Sequence, residues 1–270
     1  MELKLLKCDW GMEHLGGMAE RLKAYAEAGY DGVECATFGT DPIEFKDMTQ
    51  ALGLDYVAMM FCDDESAFEQ QLEVVKKTGP ILVNCHPGRD YFDLDRSLRF
   101  FSEVKEMATG IDAEVVFETH RTRCLYSPWT TQRILEALPW LRITADFSHF
   151  TNVAENPLTA SPYSEMMDIA IERTDHIHAR VGSAQSAQVP DPRTGAGLRW
   201  TGRFEKWWDR IIEARRAEGR AFMTINPEFG PPPYQPVSPE SEDPLADVWE
   251  VCLWMTERFR SRWANRLAGQ

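Results

Sequence analysis

Eight short apolar runs recur along the chain, most with a polar or ionisable residue at or near the end. They are Lys4–Cys8, Asp31–Ala36, Asp55–Phe61, Ile81–His86, Glu114–Glu118, Arg142–Asp146, His176–Val181 and Phe222–Ile225. Their length and apolar continuity predict buried strands. Between them, apolar residues return at helical spacing over Leu15–Ala28, Pro42–Leu52, Phe68–Thr78, Leu94–Ala108, Thr130–Leu138, Tyr163–Arg173, Phe204–Glu218 and Pro244–Ala268. Gly29 stops the first of these helices, and Gly79-Pro80 stops the third. The strand-closing residues fall near positions 8, 34, 61, 86, 118, 146, 178 and 228. Most steps between them are about 25 to 32 residues, the size of one βα unit. Eight such units in line predict an α/β fold, a (β/α)8 TIM barrel in which residues 1–270 form a single domain. A doubly wound open sheet is the rival. It is disfavoured because no GxGxxG follows the first strand and polar strand ends recur along the whole chain.

Two segments fit neither period. Gly182–Gly202 is rich in Gly, Pro, Ser and Gln, and Gly230–Asp243 contains Pro231-Pro232-Pro233 and further prolines. In a barrel both would follow strands on the C-terminal face, as long loops 182–202 and 230–243 that act as lids or binding loops.

Composition narrows the function classes. A hydrophobic content of 43% over 270 residues is ordinary for a globular protein. A net charge of −14, with no basic run, argues against a nucleic-acid partner, which would need Lys and Arg to replace phosphate counterions. The six cysteines show no CxxC spacing, and most sit within or beside apolar runs as reduced, buried thiols. No apolar stretch approaches membrane-spanning length, and the N-terminus lacks a signal-peptide core. These features predict a soluble cytoplasmic protein with no membrane partner. Exposed helices such as Pro244–Ala268 leave a homo-oligomer open.

The chemistry gathers at four strand ends: Phe117-Glu118-Thr119-His120, Ala145-Asp146-Phe147-Ser148-His149, His176-Ile177-His178 and Pro227-Glu228-Phe229. Taken singly, Glu118 reads equally well as an internal ion-pair partner and Asp146 as a cap. Together, two glutamates, an aspartate and a histidine form an oxygen/nitrogen donor set for one divalent cation, Mn2+ first, with Mg2+, Co2+ or Zn2+ as alternatives. His176 and His178 are two apart, so both face one side of a strand. His178 is nearer the C-terminal end and belongs with the ligands, whereas His176 lies a layer deeper and reads as structural. The expected metal ligands are therefore Glu118, Asp146, His178 and Glu228. Such a centre polarises a carbonyl and an adjacent hydroxyl and stabilises an enediolate. Glu118 and Glu228 are the candidate bases, one removing the proton alpha to the carbonyl and the other returning it. His86, His120, His149, Arg180 and Glu34 are candidate substrate contacts, with Trp10 as an apolar wall. Arg121 and Arg180 are alternatively internal partners of Glu34 or Asp9. Trp207, Trp208 and Trp254 read as core.

These segments resemble the xylose-isomerase-like TIM-barrel superfamily across essentially the whole chain. Asp31-Gly32-Val33-Glu34, His86-Pro87-Gly88 and Asp146-x-x-His149 carry the same likeness. The resemblance implies a metal held at the positions of Glu118, Asp146, His178 and Glu228. It also implies proton exchange by the two glutamates from opposite substrate faces, and contact of His149 with substrate hydroxyls. The seventh strand departs from many members: it continues Ala179-Arg180-Val181-Gly182, and the downstream substrate-contacting arginine has no clear counterpart. The expected function is a sugar or sugar-derivative isomerase or epimerase with a small-molecule sugar or polyol partner. The alternatives are a dehydratase of an inosose- or dehydroshikimate-like substrate, or a non-catalytic sugar- or metal-binding barrel. An apurinic endonuclease, a same-fold rival, is disfavoured by the acidic composition.

Overall fold

The computed structural model describes residues 1–268 apart from Phe38. Its strands are β1 (Glu2–Cys8), β2 (Gly32–Cys35), β3 (Asp55–Cys62), β4 (Leu82–Pro87), β5 (Glu114–Glu118), β6 (Ile143–Ala145), β7 (Thr174–His178) and β8 (Phe222–Asn226). They pair in chain order, all parallel, and β8 returns to β1 to close the barrel. The helices are α1 (Met18–Glu27), α2 (Pro42–Leu52), α3 (Glu65–Val75), α4 (Leu94–Ala108), α5 (Pro128–Ala137), α6 (Phe147–Val153), α7 (Tyr163–Glu172), α8 (Gly195–Ala217) and α9 (Val248–Ala268). This is a single (β/α)8 barrel. Among the described residues, no helix is long and apolar enough to cross a membrane.

Alternation along the strands divides the packing. Residues on one face join the large core beneath the helices, where Tyr25, Phe45, Phe68, Phe100, Phe101, Ile134 and Trp208 are buried. Residues on the other face fill the barrel. At its N-terminal side, Leu6, Val57, Leu82 and Val116 form a small apolar plug. One layer further along come Glu34, Asn84, Thr144, His176 and Thr224, all buried. This polar layer is what the strand-end residues rest on.

Several predicted boundaries move, each for a local reason. The third helix starts at Glu65 rather than Phe68, because the Asp64 side chain accepts a bond from Ala67 N at 2.9 Å and nucleates the turn earlier. The first starts at Met18 rather than Leu15, since Gly16 has φ of 112° and separates the helix from a 3-10 turn over Glu13–Leu15. The seventh strand spans Thr174–His178, not His176–Val181. Its polar start hid it, because Asp175 serves as the acceptor for a cluster of arginines: Arg142 at 2.6 and 2.7 Å, Arg215 at 3.0 Å and Arg220 at 3.3 Å. The segment expected as a loop over 182–202 is helical from Gly195 onward. There Thr201 donates its hydroxyl to Pro192 O at 2.8 Å, which folds the preceding chain against the first turns of α8. The short α6 had no counterpart in the sequence reading.

Candidate metal centre

Four consecutive strands deliver the expected ligands. Glu118 ends β5, Asp146 follows β6 and caps α6, His178 ends β7, and Glu228 lies just beyond β8. Asp146 is thus a cap as well as a candidate ligand: its Oδ1 accepts from Ser148 N at 3.0 Å and from Ser148 Oγ at 2.5 Å. One donor atom from each of the four residues lies within 4.8 Å of the others, and all four residues are buried.

Burying three carboxylates together is costly unless cations or donors meet them. Burial alone would raise the Glu118 pKa, but His86 and His178 outweigh it and hold the group well below the usual carboxylate range. The Glu228 carboxyl is likewise brought down to about 2, because Arg180 and His178 overcome its burial. Asp146 goes the other way, up to about 6. Burial is the main cause there, Arg180 pulls it down, and Glu228 and Glu118 push it further up. Burial would also lower the His178 pKa, yet Glu34, Glu228 and Glu118 surround it and raise it well above the ordinary value.

The donor set fits a divalent cation. Glu118 Oε1, His178 Nδ1 and Glu228 Oε2 are buried atoms without a directed hydrogen bond. Glu228 Oε2 does lie 2.7 Å from His178 Nδ1 and 2.8 Å from Arg180 Nη2. These are ion-pair approaches outside hydrogen-bond geometry; they leave carboxylate lone pairs of Glu118 and Glu228 close together, and a cation would take the place of the proton that these acids hold on His178. Orphaned buried polar atoms of this kind call for an explanation, and an ion is one. Glu34, His176 and His178 also approach one another closely. Their contacts of 2.9 Å are nitrogen-to-carboxylate hydrogen bonds, so that trio is already satisfied without an ion.

Above the ligands lies a cavity of about 350 Å3, lined among others by Trp10, Met59, Phe61, His86, Arg180 and Tyr234. His86 Nε2 approaches Glu118 Oε2 at 2.7 Å, and its ring stands 5.1 Å from that of His120. His120 and His149 follow at 4.1 Å between ring centroids. Burial and neighbouring charge keep both neutral: the His120 pKa is pushed down to about 3, and His149 falls well below the ordinary value. Neither nitrogen of the buried His149 has a directed hydrogen bond, and its Nε2 lies 3.4 Å from Asp146 Oδ2. Trp10 can reach the mouth because residue 230 is glycine; a Cβ there would meet the indole at 2.1 Å.

Glu34 lines the cavity expected to take substrate, with both its oxygens bonded, by His178, His176, Asn84 and Asn226. The expected pairing of the arginines is corrected. Arg180 pairs neither with Glu34 nor with Asp9. Its Nε donates to Asp146 Oδ2 at 3.0 Å and its Nη2 lies beside Glu228, while Asp9 is held by Arg21 and Tyr25. Arg121 also leaves both acids alone and lies 4.8 Å over the Tyr234 ring.

Other residues at the site had not been anticipated. The Tyr234 ring is sandwiched between Arg121 and Arg180, and its hydroxyl lies 3.3 Å from His120 Nε2. The segments after β7 and β8 are clasped by Gln188, which donates to Gly230 O and Gln235 Oε1 and accepts from Gly230 N at 2.8 Å. Asn84 and Asn226 carried a detectable signal, as amides inside otherwise apolar strands. Tyr234, in a proline-rich loop, carried none.

Residues 22–185 match the family described as the xylose isomerase-like TIM barrel. The chain belongs to that family. No curated protein matches the sequence significantly. Solved structures share the family barrel at low identity. The probable 3-DHS dehydratase AsbF, involved in petrobactin synthesis in Bacillus anthracis, superposes with a TM-score of 0.60 at 16% identity, over 95% of this chain and 98% of that one. A sugar phosphate isomerase/epimerase from Parabacteroides distasonis gives a TM-score of 0.57 at 11% identity, over 94% and 93% of the two chains. A xylose isomerase-like barrel from Mycobacterium smegmatis, solved in complex with magnesium, gives 0.56 at 13% identity, over 89% and 86%. At these identities the likeness concerns the fold. Family membership and the donor set together make the mouth of this barrel the place where its chemistry is to be sought.

Proposed function

We propose that the chain is a divalent-metal-dependent isomerase or epimerase of a small sugar or sugar derivative. The observation that carries this reading is the convergence of Glu118, Asp146, His178 and Glu228 with unsatisfied buried donor atoms on three of them. The magnesium complex of the Mycobacterium smegmatis relative supports a hard or borderline cation; Mn2+ suits the mixed oxygen and nitrogen donors best. Bound there, the cation supplies Lewis-acid polarisation of a substrate carbonyl.

The residues of the chain do the rest. Glu118 and Glu228 are held ionised, so either can take the proton alpha to the carbonyl. The C–H electron pair moves into the carbonyl system as an enediolate. For isomerisation the glutamic acid so formed returns that proton to the neighbouring carbon; for epimerisation the other glutamate, having taken a proton from solvent, delivers it to the opposite face, and the first releases its own to solvent. His86 and His120 line the cavity and bind hydroxyls, with His149 next to His120, and Trp10 offers an apolar face. The clasped segments after β7 and β8 bring Arg180 and Tyr234 to the cavity wall, within a single domain. The name of the AsbF relative adds a variant of the same first step, in which a β-hydroxyl leaves instead of a proton returning.

The test is metal analysis of the purified protein, followed by incubation in D2O with Mn2+ and a panel of ketoses, aldoses, inososes and hydroxy-ketones. Deuterium gained alpha to a carbonyl, and lost in Glu118→Gln and Glu228→Gln, supports the reading. Loss of water from the substrate identifies the dehydratase branch. A protein that takes up no stoichiometric Mn2+ or Zn2+ overturns it.

A further inference from the structure

Glu34 takes no direct part in that chemistry, yet its carboxylate is bonded by four donors from three other strands. Oε1 accepts from His178 Nε2 and Asn84 Nδ2, both at 2.9 Å. Oε2 accepts from His176 Nε2 at 2.9 Å and from Asn226 Nδ2 at 2.7 Å. Each partner is itself fixed. Thr144 Oγ1 donates to Asn84 Oδ1 at 2.8 Å, which turns Nδ2 toward Glu34 at 2.9 Å, Glu118 Oε2 at 3.0 Å and His178 Nε2 at 3.2 Å; its two protons go to the two nearer, charged acceptors. His176 Nε2 meets the acceptor-only Glu34 carboxylate and so carries a proton, while its Nδ1 lies 2.7 Å from Thr224 Oγ1 and 3.1 Å from Thr224 O.

An imidazole that donates Nε2–H presents Nδ1 as its lone pair, and the bond made by one ring nitrogen decides what the other can do. In His178 that other nitrogen is the one 2.7 Å from Glu228 Oε2 and 3.4 Å from Glu118 Oε2, with no directed hydrogen bond of its own. We propose that Glu34 is a positioning residue: from β2, outside the arc of ligand strands, it holds His178 in the tautomer that turns Nδ1 toward the other ligands and, through Asn84, fixes the orientation of Glu118. The proposal rests on the metal reading above. It also accounts for a buried carboxylate that lines the cavity yet has no lone pair to spare for a cation. Because all four partners are donors, glutamine is a poor substitute despite its shape: its amide N–H2 would face two of them.

The test compares the wild-type protein with Glu34→Gln. Mn2+ affinity, followed by the EPR signal of free Mn2+, is expected to fall about 10- to 100-fold in the variant, with the circular dichroism spectrum unchanged. In the Zn2+-loaded wild-type protein, long-range 15N–1H spectra are expected to place the proton of His178 on Nε2. That second measurement needs no variant, so it holds even if Glu34→Gln does not fold. A folded Glu34→Gln protein that binds Mn2+ as tightly as wild type overturns the role of Glu34 alone. So does a Zn2+-loaded wild-type protein with the His178 proton on Nδ1. Failure of the wild-type protein to bind either metal overturns the metal reading instead.

Discussion

At the N-terminal end of the barrel, Asp175 accepts bonds from Arg142, Arg215 and Arg220, and Arg220 also pairs with Glu114 at 2.6 Å. At the C-terminal end, Glu118, Asp146 and Glu228 share Arg180 and the neighbouring histidines, and several inward-facing atoms find no directed partner. Both ends bury charge on the same strands. At the first, acids and guanidiniums close on one another; at the second, lone pairs converge and stay open. Each end borders a cavity, of about 260 Å3 beside Asp175 and about 350 Å3 beside Glu228, so the open lone pairs make the difference: a closed network holds a fold together, whereas an open one is built to receive something. The difference is sharpest along β7, where Asp175 and His178 sit three residues apart and belong to opposite regimes.

Substitutions can break this contrast. The largest effect is expected at the open end: Glu118→Gln or Glu228→Gln should lower solvent proton exchange into substrate by about 10²- to 10⁴-fold, the usual scale for a lost acid–base group. Asp175→Ala should leave that exchange nearly intact, measured by deuterium incorporation at matched fractions of folded protein. At the closed end the order reverses. Asp175→Ala takes from the buried Arg215 one of its two carboxylate partners, leaving Glu218 and Glu172 O, and should cost about 3 kcal/mol of stability in chemical denaturation, the low end for a broken buried pair, while Mn2+ affinity stays within a few-fold of wild type. Loss of metal binding in that variant would mean the two ends are one cooperative unit.

A smaller effect sharpens the assignment of the open end. Mn2+ at about 100 times its dissociation constant should stabilise the protein by about 2.7 kcal/mol, since ligand binds the folded state alone. Asp146→Asn should lose most of that gain. Thermal melts with and without Mn2+ measure both, and equal stabilisation of the variant would remove Asp146 from the ligand set.

Why the four ligands could be read from sequence while their supports could not is a matter of range. A strand end announces itself locally: Val115-Val116-Phe117 before Glu118, or Ile143-Thr144-Ala145 before Asp146, places a carboxylate at the barrel mouth by alternation and length. The barrel followed from eight such ends at βα spacing. The partners of Glu34 lie 50 to 192 residues away along the chain, and nothing local to β2 specifies them. The same holds for Arg180, whose side chain spans from Asp146 to Glu228, and for Tyr234, placed by proline-rich chain and by packing between two guanidiniums. The start of β7 was missed for the opposite reason: Thr174 and Asp175 look polar, but their polarity is spent inside the structure on Ala170 O and the arginine cluster. The early start of α8 is likewise a tertiary effect, since Gly195-Ala196-Gly197 is weak helix-forming sequence that gains its order from Thr201 and the folded-back loop.

The smallest effect concerns pH. His149 is buried, and burial first, then the charges of His120 and Arg180, hold its pKa well below the ordinary histidine value. In the unfolded chain the same imidazole titrates near 6.5 or so, about the value for model peptides. As pH falls below that value the unfolded state takes up a proton that the folded state refuses, so stability declines. A single group of this kind gives a slope of at most about 1.4 kcal/mol per pH unit. His178 has the opposite sign, its raised pKa contributing stability that is present below the ordinary value and lost as pH rises through the folded one. Asp146, pushed up to about 6, also opposes the decline by protonating in the folded state first. Between about pH 6.5 and pH 5, above the ordinary carboxylate range, the metal-free His149→Gln protein should therefore lose less stability on acidification than wild type. Urea denaturation at the two pH values measures the difference. Equal slopes would mean that His149 takes up its proton in the folded protein as readily as in the unfolded chain, and its two nitrogens, which make no directed hydrogen bond, would then need a different account.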